Sequence, residues 1–215
     1  MQRKTHWEQV YTTKQPDAVS WYQPHAGQSL ALIRATGVAP DAPIIDVGGG
    51  ASTLVDDLLA AGYTNLTVLD IAAAALQTAQ QRLGEHAAQV RWIEADLLSA
   101  ALEQHAYAVW HDRAVFHFLT APADQQAYVD LVRRSVHPDG HVIVATFADD
   151  GPTHCSGLPV ARYSPDQLHA TFGAPFTLVE QRREAHPTPF GTVQQFVYCY
   201  CRKHAPNPPS ITMMQ

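Results

Sequence analysis

Three aspartates stand at similar intervals in the first half of the chain, each closing a short apolar run: Asp46 in IIDVGGG, Asp70 in NLTVLD and Asp96 in VRWIEAD. Gly48, Gly49 and Gly50 follow Asp46 after a single valine. Glycines remove side chains, so a ligand can approach the backbone of that turn. A dinucleotide fingerprint needs G-x-G-x-x-G, but its third glycine falls on Thr53. A phosphate loop needs G-x-x-x-x-G-K-[ST], and no lysine follows. Asp46 beside the turn would repel a pyrophosphate and suits a positively charged ligand. Asp70 ends the second apolar run, where an acid commonly holds ribose hydroxyls. Asp96 ends the third and can accept from an adenine amino group. Plainer roles compete: a strand-to-helix connection for the glycines and a helix N-cap for Asp70, the latter compatible with ligand binding.

The elements that would position these acids are legible from periodicity. Residues 5–14 read as a helix with Trp7, Val10 and Tyr11 on one face, and residues 27–36 as a second helix ended by Gly37. From APIIDV onward, strand and helix alternate. STLVDDLLAAG and AAAALQTAQQRLG are helical, while NLTVLD, VRWIEAD and YAVWHD are strands. PADQQAYVDLVRRSV is a helix stopped at HPDG, before the strand HVIVATF. This alternation predicts a mainly parallel sheet covered on both faces, with its three aspartates at one edge. A Gly/Pro-rich loop covers 148–163. SPDQLHATFG then starts a helix with Ser164 as N-cap and Pro165 at N1. FTLVEQRREAH and TVQQFVYCYCRK form a terminal hairpin that makes one edge antiparallel, and the tail 205–215 reads as disordered.

The set IIDVGGG, VLD, EADLL and HPDGHVIVATF resembles the class I S-adenosylmethionine-dependent methyltransferase family. The resemblance implies a Rossmann-like, doubly wound α/β fold: a seven-stranded sheet, mostly parallel, with an antiparallel terminal strand. It implies S-adenosyl-L-methionine as cofactor, leaving as S-adenosyl-L-homocysteine. By position, Gly48, Gly49 and Gly50 would pack against the methionine part, beside Asp46. Asp70, with Ile71 next to it, would hold the ribose, and Asp96 and Leu97 would meet the adenine. The segment around His111 would lie beneath the sulfonium. The family often has Cys or Thr where Gly49 stands, a mild departure. Trp21 and Tyr22 belong to an N-terminal segment that commonly folds over as a lid, where aromatics can meet a sulfonium or simply staple the N-terminal helices to the sheet.

Methyl transfer is an in-line displacement, helped by a base where the acceptor must lose a proton. The candidates for acceptor chemistry are His111, Asp112 and His117 in WHDRAVFHFL, and Cys155 and Tyr163 in the loop GPTHCSGLPVARY. His154 and Arg162 share that loop, which follows the fifth strand and overhangs the site. Asp112-Arg113 resembles the Asp-Lys-Gly segment of some protein-lysine methyltransferases, and HWEQVY resembles their W-x-x-x-Y start. The loop around Cys155 resembles that of tellurite-resistance and chalcogen methyltransferases, where a thiol could bind a soft atom. The competing structural roles are an Asp112–Arg113 ion pair, a packed His117 between Phe116 and Phe118, and a buried Cys155.

The 215 residues suit one domain, here 1–204, with a helical lid over 1–37, a cofactor core over 41–147 and the acceptor loop. A net charge of −6 argues against a general grip on nucleic acid or an anionic membrane. MQRKTHWEQV lacks the apolar run of a signal peptide. Three cysteines fit no disulfide framework, so the expected setting is the cytoplasm. Cys199 and Cys201 share a strand face as core filler, and twelve histidines without H-E-x-x-H spacing predict no metal site. The resulting expectation is methyl transfer to a small-molecule acceptor. A protein lysine or a thiol, chalcogen or metalloid acceptor stands as the alternative. The rival classes are an NAD-dependent oxidoreductase and a non-catalytic S-adenosylmethionine-binding module.

Overall fold

The computed structural model describes residues 2–204, so the tail read as disordered lies outside the described residues. Two helices open the chain, α1 (Gln2–Thr13) and α2 (Gly27–Ala35). The alternating stretch follows as β1 (Ile44–Val47), α3 (Leu54–Ala60), β2 (Leu66–Asp70), α4 (Ala73–Leu83), β3 (Val90–Glu94), β4 (Tyr107–Arg113), α5 (Pro122–Ser135) and β5 (Val136–Phe147). The remainder is a two-residue hairpin, β6 (His154–Cys155) and β7 (Leu158–Pro159), then α6 (Pro165–Phe172), β8 (Phe176–Pro187) and β9 (Val193–Lys203). The main sheet has seven strands in the order β3-β2-β1-β4-β5-β9-β8, with β9 antiparallel to both neighbours.

Every residue of β1 and β2 is buried. Side chains alternate across a strand, so the core divides in two. Ile45, Val47, Trp110 and Val144 pack under α5 and α6, against Leu131, Val132, Leu168 and Phe172. Ile44, Val68, Val109 and Ile143 pack under α2, α3 and α4, against Leu32, Leu54 and Leu76. Helices thus cover both faces, as parallel strands require. Among the described residues no helix is long and apolar enough to cross a membrane.

Local signals explain most boundaries. Ser164 accepts from Gln167 N while the Gln167 side chain accepts from Ser164 N, a complete capping box. One boundary differs from the sequence reading: HPDG does not separate helix from strand. The strand begins at Val136, and HPDG forms an irregularity within it, where the register against β4 slips between Tyr107 and Val109 and Asp139 adopts φ +59°. The 148–163 loop also contains the β6–β7 hairpin, too short to show a period.

The start of α4 has a consequence for the site. Its N-cap position is Ala72, which supplies no side-chain cap. Glu8 of α1 does the work instead, accepting from Ala73 N at 2.6 Å and Ala74 N at 3.2 Å. A carboxylate at a helix N-terminus satisfies orphan N–H groups and complements the helix dipole. That bond pair draws α1 across the carboxyl ends of the strands, where the Lys4–Glu94 ion pair also holds it.

Candidate functional site

Strand order turns at β1, which has β2 on one side and β4 on the other. A crevice opens at such a point, outside the carboxyl ends of the strands. Here it is a cleft of about 850 Å³, mouth included, adjoining a second of about 560 Å³. Tyr11, Trp21, Gly48 and Arg113 face both.

Asp70, Ile71, Asp96 and Leu97 line the larger cleft. Asp70 Oδ1 accepts from Ala72 N at 2.9 Å, and Asp96 Oδ1 accepts from Leu98 N at 3.1 Å, so each carboxylate is oriented by the turn it begins. Burial pushes the Asp70 carboxyl up to about 7, with the nearby charges of Asp46 and Glu8 adding to the shift and bonds from Ala72 and Ile71 opposing it. Four aromatic rings share the lining. Trp7 meets Phe118 edge-on at 5.0 Å between centroids, and Trp21 packs against Trp7 at 5.9 Å and Tyr11 at 6.3 Å. Trp7 and Tyr11 come from α1, so the cap on α4 also places this wall.

The glycines divide by role. Gly48, at φ +65°, lines both clefts, and a Cβ there would overlap the Val115 side chain. Gly49 lines only the smaller cleft, and a Cβ would overlap Asp46 Oδ2. Gly50 lines neither, contrary to expectation, because its bare α-carbon makes room for Asp70 Oδ2 and Ala75. The smaller cleft also takes in Tyr22, Ser29, Asp46 and His111. Asp46 and His111 are register partners on β1 and β4, which brings Oδ1 within 2.7 Å of Nδ1.

Several residues proposed for acceptor chemistry stand elsewhere. Asp112, fully buried, accepts from Val115 N, Phe116 N and Tyr128 Oη, which fixes the turn after β4. It makes no ion pair with Arg113, which turns to Glu184, Tyr198 Oη and Trp21 O and lies 4.2 Å over the Phe196 ring. His117 is fully buried outside the cleft. Its Nδ1 accepts from Phe147 N, and burial pushes its pKa down to about 3, so it stays neutral. Tyr163 packs on Phe116, with its hydroxyl accepting from Gln125. His154 and Arg162 are used on Thr153 and Gly151 within their own loop. Of that loop only Cys155 reaches the cleft, and burial pushes its thiol up to about 11.

Sequence reasoning missed Glu8, Ser29 and Phe118. Glu8 had a partial signal: Asp70 was the one capping candidate in DIAAAALQ, and it stands two residues before the observed N-cap position, Ala72. Ser29, one polar residue in GQSLALIRAT, had none.

Residues 44–140 match a family model described as a methyltransferase domain. The chain is 33% identical over 114 residues to a malonyl-[acyl-carrier protein] O-methyltransferase from Anoxybacillus flavithermus, a match covering 52% of this chain and only 41% of that protein. Among solved structures, one from work on the conversion of a disulfide bond into a thioacetal group during echinomycin biosynthesis superposes with a TM-score of 0.76. It is 17% identical and covers 97% of this chain and 95% of that one. The 1,6-didemethyltoxoflavin-N1-methyltransferase of Burkholderia thailandensis, solved with 1,6-didemethyltoxoflavin and S-adenosylhomocysteine, gives 0.68 at 19% identity, covering 94% and 87%. Residues 44–140 thus resemble a methyltransferase domain, and the fold that carries them is shared with solved methyltransferase structures.

Proposed function

We propose that the chain moves a methyl group from S-adenosylmethionine to a small, largely apolar acceptor held against Trp7, Tyr11, Trp21 and Phe118. One observation carries this reading. A single cleft is lined by Asp70 and Asp96 together with the four aromatic rings and Gly48.

The residues present fit the cofactor. Asp46 lines the smaller cleft, and its Oδ2 is buried without a hydrogen-bond partner among the described residues, so a cationic donor would satisfy it. A side chain on Gly49 would press on that oxygen, and one on Gly48 on Val115. When bound, S-adenosylmethionine supplies the methyl group and leaves as a neutral thioether. The protein binds, orients and dries the site. Asp70 would hold the ribose hydroxyls, Asp96 and the Leu97 region the adenine, and Asp46 the ammonium. The aromatic wall excludes water and presents ring faces to positive charge.

The roof made by α1 supports a small acceptor over a lysine on a folded protein. The Asp112-Arg113 likeness to lysine methyltransferases loses its force, since Asp112 is taken up by the turn after β4. Cys155 favours a second reading, a soft-atom acceptor, because it reaches the cleft; its raised pKa leaves it a neutral thiol at pH 7 and weakens that reading.

Labelled methyl transfer into a host lysate, separated into protein and small-molecule fractions, tests the proposal. Label is expected among small molecules. Label only in protein would favour the lysine reading, and S-adenosylhomocysteine binding without any incorporation would favour a non-catalytic module. Tight NAD binding without S-adenosylhomocysteine binding would overturn the class.

A further inference from the structure

We infer that His111 and Ser29 are positioning residues that aim Asp46 at the ligand. The inference rests on the methyl-transfer reading for the ligand's identity. Its geometry is a buried chain of three side chains from three elements. His111 Nδ1 lies 2.7 Å from Asp46 Oδ1, and His111 Nε2 lies 2.8 Å from Ser29 Oγ on α2. Asp46 is 4% exposed, His111 2% and Ser29 1%.

The two carboxylate oxygens of Asp46 therefore have different fates. An ionised carboxylate only accepts, so Nδ1 carries the proton and donates it to Oδ1. In the neutral ring Nε2 is then the acceptor, and the Ser29 hydroxyl completes it. A ring held at both nitrogens cannot turn, and neither can the carboxylate it holds. Oδ2 is left buried without a partner among the described residues, packed against the bare Gly49, on a residue that lines the smaller cleft. A buried acceptor left unmet destabilises the free protein unless a ligand donor meets it. The donor that fits is an ammonium, which the amino-acid end of the cofactor carries and its nucleoside end does not. Ser29 stands on α2 itself at 1% exposure, with its hydroxyl taken up by the imidazole.

Ser29 also connects the site to the strap that precedes α2. Ala26 N at the head of α2 donates to Asp57 Oδ2, and Thr53 Oγ1 donates to Gln23 O. The same strap carries Trp21 and Tyr22. A shift of α2 would release the imidazole and the aromatic wall together.

Calorimetric titration with two ligands tests the relay: S-adenosylhomocysteine, which carries the amino-acid end, and 5′-methylthioadenosine, which lacks it. His111→Ala should weaken S-adenosylhomocysteine about tenfold or more while changing 5′-methylthioadenosine less than about threefold. Ser29→Ala should weaken S-adenosylhomocysteine by about three- to fivefold, with the same selectivity. His111→Asn places an amide N–H near where Nδ1 stands and should recover most of the affinity. If His111→Ala does not fold, the serine and asparagine variants carry the test. Equal weakening of both ligands, or of neither, would overturn the relay and leave the methyl-transfer reading standing. Wild-type protein that binds neither ligand would overturn that reading and the relay with it.

Discussion

Asp70→Asn should make the ligand-free protein more stable and its cofactor site worse. The carboxyl, ordinarily near 3.8, is pushed up to about 7, first by burial and then by Asp46 and Glu8. Between those two values the unfolded chain has released its proton and the folded protein has kept it, so stability falls as pH rises through that window. Above pH 7 both states are ionised and the full cost, ~4 kcal/mol, is present. At pH 5 only ~1–2 kcal/mol of it has accrued. An asparagine carries no charge, and its amide oxygen still accepts from Ala72 N. Scanning calorimetry should therefore show Tm raised by roughly 6–12 °C at pH 8 and by less than half as much at pH 5. In the same variant S-adenosylhomocysteine should bind ~10–100-fold more weakly at pH 8, because hydroxyl-to-carboxylate bonds become bonds to a neutral amide. A variant that melts lower at both pH values, or gains equally at both, would refute the charge argument. Unchanged affinity would refute the ribose role.

Gly48→Ala must place a Cβ into Val115 at φ +65°, which should cost about 1–3 kcal/mol by thermal unfolding and remove measurable S-adenosylhomocysteine binding; full binding would show that the turn is not part of the ligand wall. Glu8→Gln removes the charge that caps α4 and should lower stability by ~0.5–1 kcal/mol and speed hydrogen exchange in α1. In wild-type protein S-adenosylmethionine should slow that exchange more than S-adenosylhomocysteine does, and equal slowing would count against a charge-driven lid. Cys155, with its thiol pushed up to about 11 and its side chain buried, should alkylate with iodoacetamide at pH 8 about 100-fold more slowly than in denatured chain; mass spectrometry finding comparable rates would contradict its burial.

The cofactor half of the site was legible because it is written locally. Asp46, Asp70 and Asp96 each follow their own apolar run, and parallel pairing must bring such ends to one edge. The acceptor half depends on which way side chains turn after the strand ends, and spacing carries no information on that. Asp112 is one residue beyond His111, so on a strand the two point to opposite faces. One reaches the smaller cleft and the other is buried against Tyr128. His117 and Tyr163 read as reactive by type, although Phe116 and Phe118 already favoured packing for His117. HPDG looked like punctuation, and the structure absorbed it as an irregularity because Asp139 tolerates positive φ.

Placing α1 depended on a long-range contact, and that contact ties the lid to the charge of the ligand. With α1 across the crevice, Glu8 adds a third carboxylate near Asp70 and Asp46, and the proton affinity of Asp70 registers both neighbours. Arg3 and Arg113 also line the cleft, so the three carboxylates are only partly balanced there, where Coulomb forces are weakly screened. A dinucleotide, with its pyrophosphate, would deepen that imbalance. A ligand carrying a sulfonium and an ammonium offsets it, and by linkage any cation that favours closure is itself bound more tightly by the closed state. Methyl transfer removes the sulfonium charge and leaves a thioether. On the proposed reaction, loss of the sulfonium charge should therefore weaken the attraction between ligand and α1, and the difference in α1 exchange between the two ligands measures that loss.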